Sequence, residues 1–295
     1  MDGEVRLGPR LLKYTLYGPT DGFPVVSLGG TPSTRWKRPS VVEAIANSGL
    51  LMVVPDRPGY GGSTRQPGRS VADAARDVAL LADHLGWATF ALTGGSGGGP
   101  HALACAALLP DRVVRCAVVG GLAPPLTHDP EPTEAEELAD PRRDRHAWQA
   151  ARDVTVLRSE LEASFAQVMA AVEAGGPEFP PDPHDPAPPA PPARDDPEAM
   201  ARLTATFVTS MDGVLDDMAA FAKPWGFDLA DVRVPTSIWH GTADERAGKQ
   251  AGFLIEALPA AESIQYVGAH VPPSAAYRRI LEWLRGATNG AGATL

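Results

Sequence analysis

Short apolar runs alternate with longer amphipathic stretches over most of the chain. The apolar runs are bounded by Gly or Pro, and they are Val25–Leu28, Leu50–Val54, Thr89–Thr93, Arg115–Val119, Thr236–Trp239 and Ile264–Val267. Continuous apolar runs of this length are typical of strands that are buried on both faces, as in a parallel sheet. Between two of them, apolar positions recur with helical spacing from Val71 to Leu85, with Ser70 as the expected N-cap and Gly86 just past the end. Strands that alternate with helices predict an α/β fold with a doubly wound, mostly parallel sheet.

The alternation stops in the middle of the chain. After Leu122 a polar, helical region runs from about 133 to 175, a proline-rich stretch covers 177–192, and a helical pattern returns from 196 to about 222. Proline at this density is incompatible with helix or central strand, so we expect an extended surface loop or a partly disordered linker, with a partner-binding segment as the alternative. The expected organisation is a core in two parts, 1–122 and 228–285, a helical insertion over 123–227, and a flexible tail over 286–295.

The most informative motif is Gly94-Gly95-Ser96-Gly97-Gly98. It follows an apolar run and precedes a helix of small residues, which is the context of a nucleophile elbow: a serine on a tight turn from strand to helix. Glycines on both sides of Ser96 fit that reading, because such a turn needs a strained backbone and a close approach of strand and helix. A phosphate-binding loop would require a Lys-Ser or Lys-Thr pair after the glycines, and none follows.

A serine nucleophile needs a base and a group that orients the base. His270 is the candidate base, because it lies on a loop between a strand-like run and a helix. Loops at the carboxyl ends of parallel strands are where α/β folds place their active-site residues. Asp244 follows another strand-like run that ends at His240, and we expect Asp244 to orient the base and His240 to be structural. The remaining five histidines fall in helices or in the middle region, where structural roles are expected.

The chain order Ser96, Asp244, His270 resembles that of the α/β-hydrolase fold family. Two further segments support the resemblance: 55–63, similar to a structural turn after an early strand, and Leu28-Gly29-Gly30-Thr31-Pro32, similar to the loop that donates to the oxyanion hole. The resemblance implies oxyanion donors at Thr31 and Gly97, although Gly29 stands where the family usually has histidine. It also implies that the insertion is a cap over the active site. The serine itself separates the chain from epoxide hydrolases and haloalkane dehalogenases, which carry an aspartate at the elbow.

Apolar residues recur at helical spacing in the expected cap, and most should pack it onto the core. A cap over the end of a sheet creates a mostly apolar pocket. The candidate substrate-binding residues are Gly30, Trp148, Phe165 and Met211. An apolar pocket favours a medium-sized hydrophobic acyl compound over a sugar or a phosphate.

The charge of the chain limits the binding partners that we expect. A formal net charge of −10 would repel nucleic acid and anionic membranes, so we expect a small-molecule substrate as the partner, with no nucleic acid and no membrane. No signal-peptide pattern or membrane-span pattern is present, and a cytoplasmic location is expected. Cys105 and Cys116 are expected to be buried free thiols, and neither a metal nor a cofactor is expected. A homodimer is left open.

The expected function is that of a serine hydrolase acting on an ester-type bond, as a carboxylesterase does, through an acyl-enzyme. Thioesterase, lactonase, aminopeptidase and carbon–carbon bond hydrolase remain open, since the motifs do not separate them. Two hypotheses come from other classes: a ligand-binding protein that has lost turnover, and a lyase that uses Ser96 and His270 as an acid–base pair. One scaffold hosts many chemistries, so the fold alone does not exclude them.

Overall fold

A computed structural model describes residues 1–126, 131–176 and 197–286. In this part of the chain an eight-stranded sheet has the order β1-β2-β4-β3-β5-β6-β7-β8. Its strands are β1 (Asp2–Leu7), β2 (Arg10–Tyr17), β3 (Phe23–Leu28), β4 (Leu50–Pro55), β5 (Phe90–Gly95), β6 (Val113–Val119), β7 (Thr236–Gly241) and β8 (Ala261–Tyr266). Strands β3 to β8 pair in parallel, whereas β1 and β2 add an antiparallel edge beside β4.

Helices connect the parallel strands, and further helices lie in the chain segment that leads from β6 to β7. The helices of the core are α1 (Pro39–Ala46), α2 (Asp73–His84), α3 (Gly98–Leu108), α9 (Glu245–Ala257) and α10 (Ser274–Arg285). The helices between β6 and β7, which we call the insertion, are α4 (Glu134–Ala139), α5 (Arg145–Arg152), α6 (Val154–Glu173), α7 (Pro197–Phe207) and α8 (Met211–Phe221). A short 3₁₀ helix at Leu229–Asp231 leads back to the sheet.

Successive residues of the central strands face opposite sides of the sheet. Val26, for example, lies in the apolar cluster formed with α2, α3 and α9, while Val25 lies in the cluster formed with α1 and α10. Helices therefore cover both faces of the sheet, and the doubly wound α/β architecture is confirmed. A third cluster lies within the insertion and includes Leu157, Phe165 and Leu215, together with Tyr60 from the core.

Several local expectations can be compared with the structure. All six apolar runs form the six parallel strands, with bounds that shift by up to three residues. The two buried cysteines are free thiols. The N-cap prediction for Ser70 is wrong: α2 begins at Asp73, and the Ser70 hydroxyl and backbone N–H instead donate to the Asp73 carboxylate at 2.8 and 2.7 Å.

Other parts of the chain go beyond the sequence prediction or divide it differently. Strands β1 and β2 were not predicted, because polar residues interrupt their sequences and leave no long apolar run. The expected helical region over 133–175 consists of three helices, since Asp140 and Asp153 end α4 and α5. The proline-rich stretch 177–192 and the tail beyond residue 286 lie outside the described residues.

Candidate active site

Ser96 lies on the tight turn that joins β5 to α3. Its φ of +48° is in the left-handed region, and within the described residues no other non-glycine residue has a positive φ. Its backbone N–H donates to the carbonyl of Val119, at the end of β6, at 2.8 Å. A strained, hydrogen-bonded residue between a strand and a helix is what the elbow motif predicts.

Close packing behind the turn explains its glycines. A β-carbon on Gly98 would lie 2.1 Å from the carbonyl oxygen of Leu28, at the end of β3. Real β-carbons do not approach backbone oxygens so closely, so only glycine permits this contact between α3 and β3. The loop that follows β3 is therefore held directly against the nucleophile turn.

That loop carries Gly30 and Thr31. A β-carbon on Gly30 would lie 3.4 Å from the Ser96 β-carbon, and one on Gly97 would lie 2.3 Å from the Thr31 hydroxyl oxygen. Gly97 is the N-cap residue of α3, where backbone N–H groups lack partners within the helix and the helix dipole favours negative charge. The structure thus brings Gly30, Thr31 and Gly97 together beside Ser96.

Asp244 and His270 are hydrogen-bonded to each other. His270 Nδ1 lies 2.6 Å from Asp244 Oδ2, and the other carboxylate oxygen accepts from the backbone N–H of Ala247 at 2.9 Å, which caps α9. Both oxygens are therefore engaged, which fixes the orientation of the carboxylate. Burial opposes ionisation of Asp244, but these hydrogen bonds outweigh it and hold the pKa of the carboxyl below its usual range.

The loop that carries His270 is fixed by Tyr266, at the end of β8. The Tyr266 hydroxyl is 3.1 Å from the carbonyl oxygens of Ala269 and His270, to which it donates. The imidazole of His270 lies over Gly120, where an added β-carbon would be 2.9 Å from His270 Cε1. Gly120 follows Val119, the residue whose carbonyl accepts from Ser96. Ser96, Asp244 and His270 therefore all lie at the carboxyl edge of the parallel strands, after β5, β7 and β8 respectively.

Three candidate substrate-binding residues lie in the insertion. Phe165 packs edge-on against Phe207, with ring centroids 5.4 Å apart, and Met211 belongs to the same apolar cluster. Trp148, on α5, stacks under the guanidinium of Arg152. These contacts account for their packing within the insertion, and their role in substrate binding stays a prediction.

Other residues near the site were not singled out from the sequence. Phe221, at the end of α8, reaches to within van der Waals distance of Gly97, since an added β-carbon there would be 3.2 Å from its Cζ. Asp217, one turn earlier on α8, accepts a hydrogen bond from the Thr31 hydroxyl at 2.7 Å. Helical spacing marked Phe221 only as one of many apolar positions, and no sequence signal pointed to Asp217.

Within residues 1–126, 131–176 and 197–286, no three His, Cys, Asp or Glu side chains are grouped so as to hold a metal ion. None of the helices in these ranges combines the length and apolar character needed to cross a membrane.

Known proteins resemble both the sequence and the structure. An uncharacterized hydrolase, YcgS, from Bacillus subtilis (strain 168) is 31% identical over 102 residues; the match covers 35% of this chain and 35% of that protein, about a third of its length. A thermophilic esterase from Thermogutta terrifontis, solved with malate bound, superposes with a TM-score of 0.68 at 20% identity, covering 97% of this chain and 99% of the esterase.

The fold is shared by proteins with different chemistry. The epoxide hydrolase CorEH, solved without ligand, also has a TM-score of 0.68, at 17% identity, with 97% of this chain and 96% of that chain covered. At such identities the likeness concerns the fold alone. A family model described as the alpha/beta hydrolase fold matches residues 24–179, more than half of the sequence. With this match and the sheet order described above, the chain belongs to the α/β-hydrolase fold family.

Proposed function

We propose that this protein is a serine hydrolase that cleaves a carboxylic ester, or a related acyl bond, through an acyl-enzyme. The observation that carries the proposal is the hydrogen bond between His270 Nδ1 and Asp244 Oδ2 at the sheet edge where Ser96 occupies its left-handed turn. Because Asp244 engages Nδ1, the Nε2 atom of His270 is left to act as a base.

Each group then has a defined role. His270 takes the proton of the Ser96 hydroxyl as its oxygen attacks the substrate carbonyl, and Asp244 stabilises the resulting imidazolium. The backbone N–H groups of Thr31 and Gly97 hold the negative charge that develops on the carbonyl oxygen. His270 then protonates the leaving group, and a water molecule, deprotonated by the same imidazole, releases the acid.

The substrate is proposed to be a medium-sized, fairly hydrophobic small molecule. Phe221 supports this, because its ring lies against Gly97 and is 5% exposed, so an apolar wall stands next to the proposed oxyanion hole. A hydrophobic acyl group placed there would lose its contact with water at little cost in polar desolvation.

The test is intact-protein mass spectrometry after incubation with an alkyl fluorophosphonate. Wild type should gain one adduct on Ser96, since only an activated serine displaces fluoride quickly. The variants Ser96→Ala and His270→Ala should both lose the adduct. Esters and thioesters of increasing chain length then define the substrate.

The matched control is His240→Gln, because His240 also ends a strand beside Asp244 but is not assigned to catalysis. It should keep the adduct. A folded wild-type protein that gains no adduct and hydrolyses none of the esters would contradict the proposal, and a ligand-binding role would then be favoured.

A further inference from the structure

A buried charged cluster joins the insertion to the core behind the proposed oxyanion hole. At its centre is Asp217, whose side chain is fully buried. One oxygen accepts from Arg57 at 2.5 Å, from the Tyr60 hydroxyl at 2.6 Å and from the Thr31 hydroxyl at 2.7 Å. The other accepts from Arg69 at 2.6 Å. Asp217 is thus the one carboxylate of α8 that bonds a residue of the oxyanion loop in the described structure.

Arg57 extends the same cluster along the loop. Its guanidinium donates to the carbonyl oxygens of Gly29 and Gly30, the second at 2.9 Å, and to the Thr31 hydroxyl at 3.0 Å. One planar group, paired with Asp217, therefore holds three successive residues. Because Gly29 and Gly30 have no side chains, the loop is held through its backbone, by these hydrogen bonds and by the close packing of Gly98.

The hydrogen bond to Gly30 sets the direction of the Thr31 N–H. The Gly30 carbonyl and the Thr31 N–H belong to the same peptide unit, which is planar and trans at the Gly30–Thr31 bond, so the two groups point in opposite directions. When Arg57 holds the carbonyl on its own side, the N–H is turned away from Arg57. The same reasoning turns the Gly30 N–H away from Arg57, and Gly30 itself lies close to Ser96.

Stability alone explains this cluster poorly. Buried ion pairs gain little over well-packed apolar residues, because each charge first loses its hydration. Burial opposes the ionisation of Asp217, but the guanidinium groups of Arg57 and Arg69 outweigh it and keep the pKa of the carboxyl below its usual range. The ionised carboxylate is therefore available to orient both the guanidinium and the loop.

We propose that Asp217 is a positioning residue for hydrolysis: through Arg57 and the Thr31 hydroxyl it fixes the oxyanion loop, so that the donor is formed only when α8 is seated on the core. The proposal rests on the proposed function of Ser96. Asp217 does not touch the reacting atoms, and it acts by holding the Thr31 N–H in the direction that the transition state requires.

The test compares two neighbouring carboxylates of α8. Asp217→Asn removes the charge that pairs with Arg57. The matched control, Asp216→Asn, removes a buried charge that pairs with Arg65 and Arg69 but does not contact the loop. On an ester that the wild type hydrolyses, Asp217→Asn should lower kcat and kcat/KM together by about 10- to 100-fold, as expected for a misplaced transition-state donor. Asp216→Asn should stay within about threefold of wild type.

A second variant, Thr31→Val, tests the proposal even if Asp217→Asn does not fold. Thr31→Val removes the hydroxyl that bonds Asp217 but keeps the backbone N–H, and it should lower kcat about tenfold with little change in KM. Thermal unfolding identifies which variants are folded. If Asp217→Asn does not fold, Thr31→Val decides the question alone.

Hydrogen exchange provides a readout that needs no turnover. Amide exchange in a peptide that contains Gly30 and Thr31 should be faster in Asp217→Asn and in Thr31→Val, but not in Asp216→Asn. The inference is overturned if the folded variants keep wild-type kcat and wild-type exchange, or if Asp216→Asn changes both as much as Asp217→Asn does. An inactive wild type would contradict the proposed function, while the exchange data would still decide the role of Asp217.

Discussion

At the scale of single residues, His101 connects the nucleophile turn to the charged cluster. Its Nδ1 lies 2.9 Å from the Gly97 carbonyl oxygen, which can only accept, so Nδ1 carries the hydrogen. Its Nε2 faces Asp217 Oδ1 at 3.7 Å, with Arg57 and Arg69 nearby. Burial lowers the pKa of His101 to about 4, although the charge of Asp217 opposes the decrease. The imidazole is therefore neutral at pH 7.

This lowered pKa predicts acid sensitivity. The unfolded chain, with an ordinary histidine pKa near 6.5, binds the proton more readily than the folded protein. The free energy of unfolding should therefore fall by roughly 3 kcal/mol as the pH decreases from 6.5 to 4. Urea unfolding of wild type at pH 7.0, 5.5 and 4.5 should show this loss, and His101→Gln should show a much smaller one.

The control for His101→Gln is His146→Gln, which removes an exposed imidazole from α5. It should keep the wild-type decrease in the free energy of unfolding. An equal decrease in wild type and His101→Gln would show that other groups cause the acid sensitivity.

At the scale of elements, the approach of α3 to β3 is set by Gly98. An alanine there would place its β-carbon 2.1 Å from the Leu28 carbonyl oxygen and 2.5 Å from that of Gly29, both backbone atoms that cannot rotate away. Gly98→Ala should therefore lower the free energy of unfolding by about 1–3 kcal/mol and shift the oxyanion loop. Thermal unfolding and the rate of fluorophosphonate labelling measure the two effects.

The matched substitution is Gly252→Ala in α9, where an added β-carbon would meet no atom within 4 Å. Because alanine favours helix more than glycine does, this variant should gain about 0.5–1 kcal/mol and label at the wild-type rate. A Gly98→Ala variant that is as stable as wild type would mean that α3 can move away from β3.

Elements encoded by neighbouring residues could be predicted from the sequence, whereas contacts between distant residues could not. The six parallel strands and the Ser96 turn were predictable, because apolar runs and glycine spacing are written in consecutive residues. Strands β1 and β2 escaped prediction, since polar residues such as Glu4, Arg6 and Lys13 interrupt their apolar positions. The role of Asp217 could not be predicted either, because its partner Arg57 is 160 residues away and only the packing of α8 brings them together.

At the scale of the whole molecule, two groups of polar contacts of different character attach the insertion to the core among the residues that the structure describes. Beside β4 and α2 the attachment is the buried Asp217 cluster. Beside α9 it combines an exposed part and a buried part: Arg246 pairs with Glu137 and Asp144 at 2.9 and 2.7 Å, while Gln250 bonds the backbone of Ala123 at 2.8 Å.

The two parts of the α9 attachment should differ in strength and in their response to salt. Arg246→Ala removes exposed ion pairs that water and salt already screen, so the free energy of unfolding should fall by less than about 1 kcal/mol. Gln250→Ala leaves the buried Ala123 N–H without its acceptor and should cost about 1–3 kcal/mol. In 1 M NaCl the difference between wild type and Arg246→Ala should vanish in urea unfolding, whereas that for Gln250→Ala should persist. A larger loss for Arg246→Ala than for Gln250→Ala would mean that surface charge, rather than buried hydrogen bonding, holds this side of the insertion against the core.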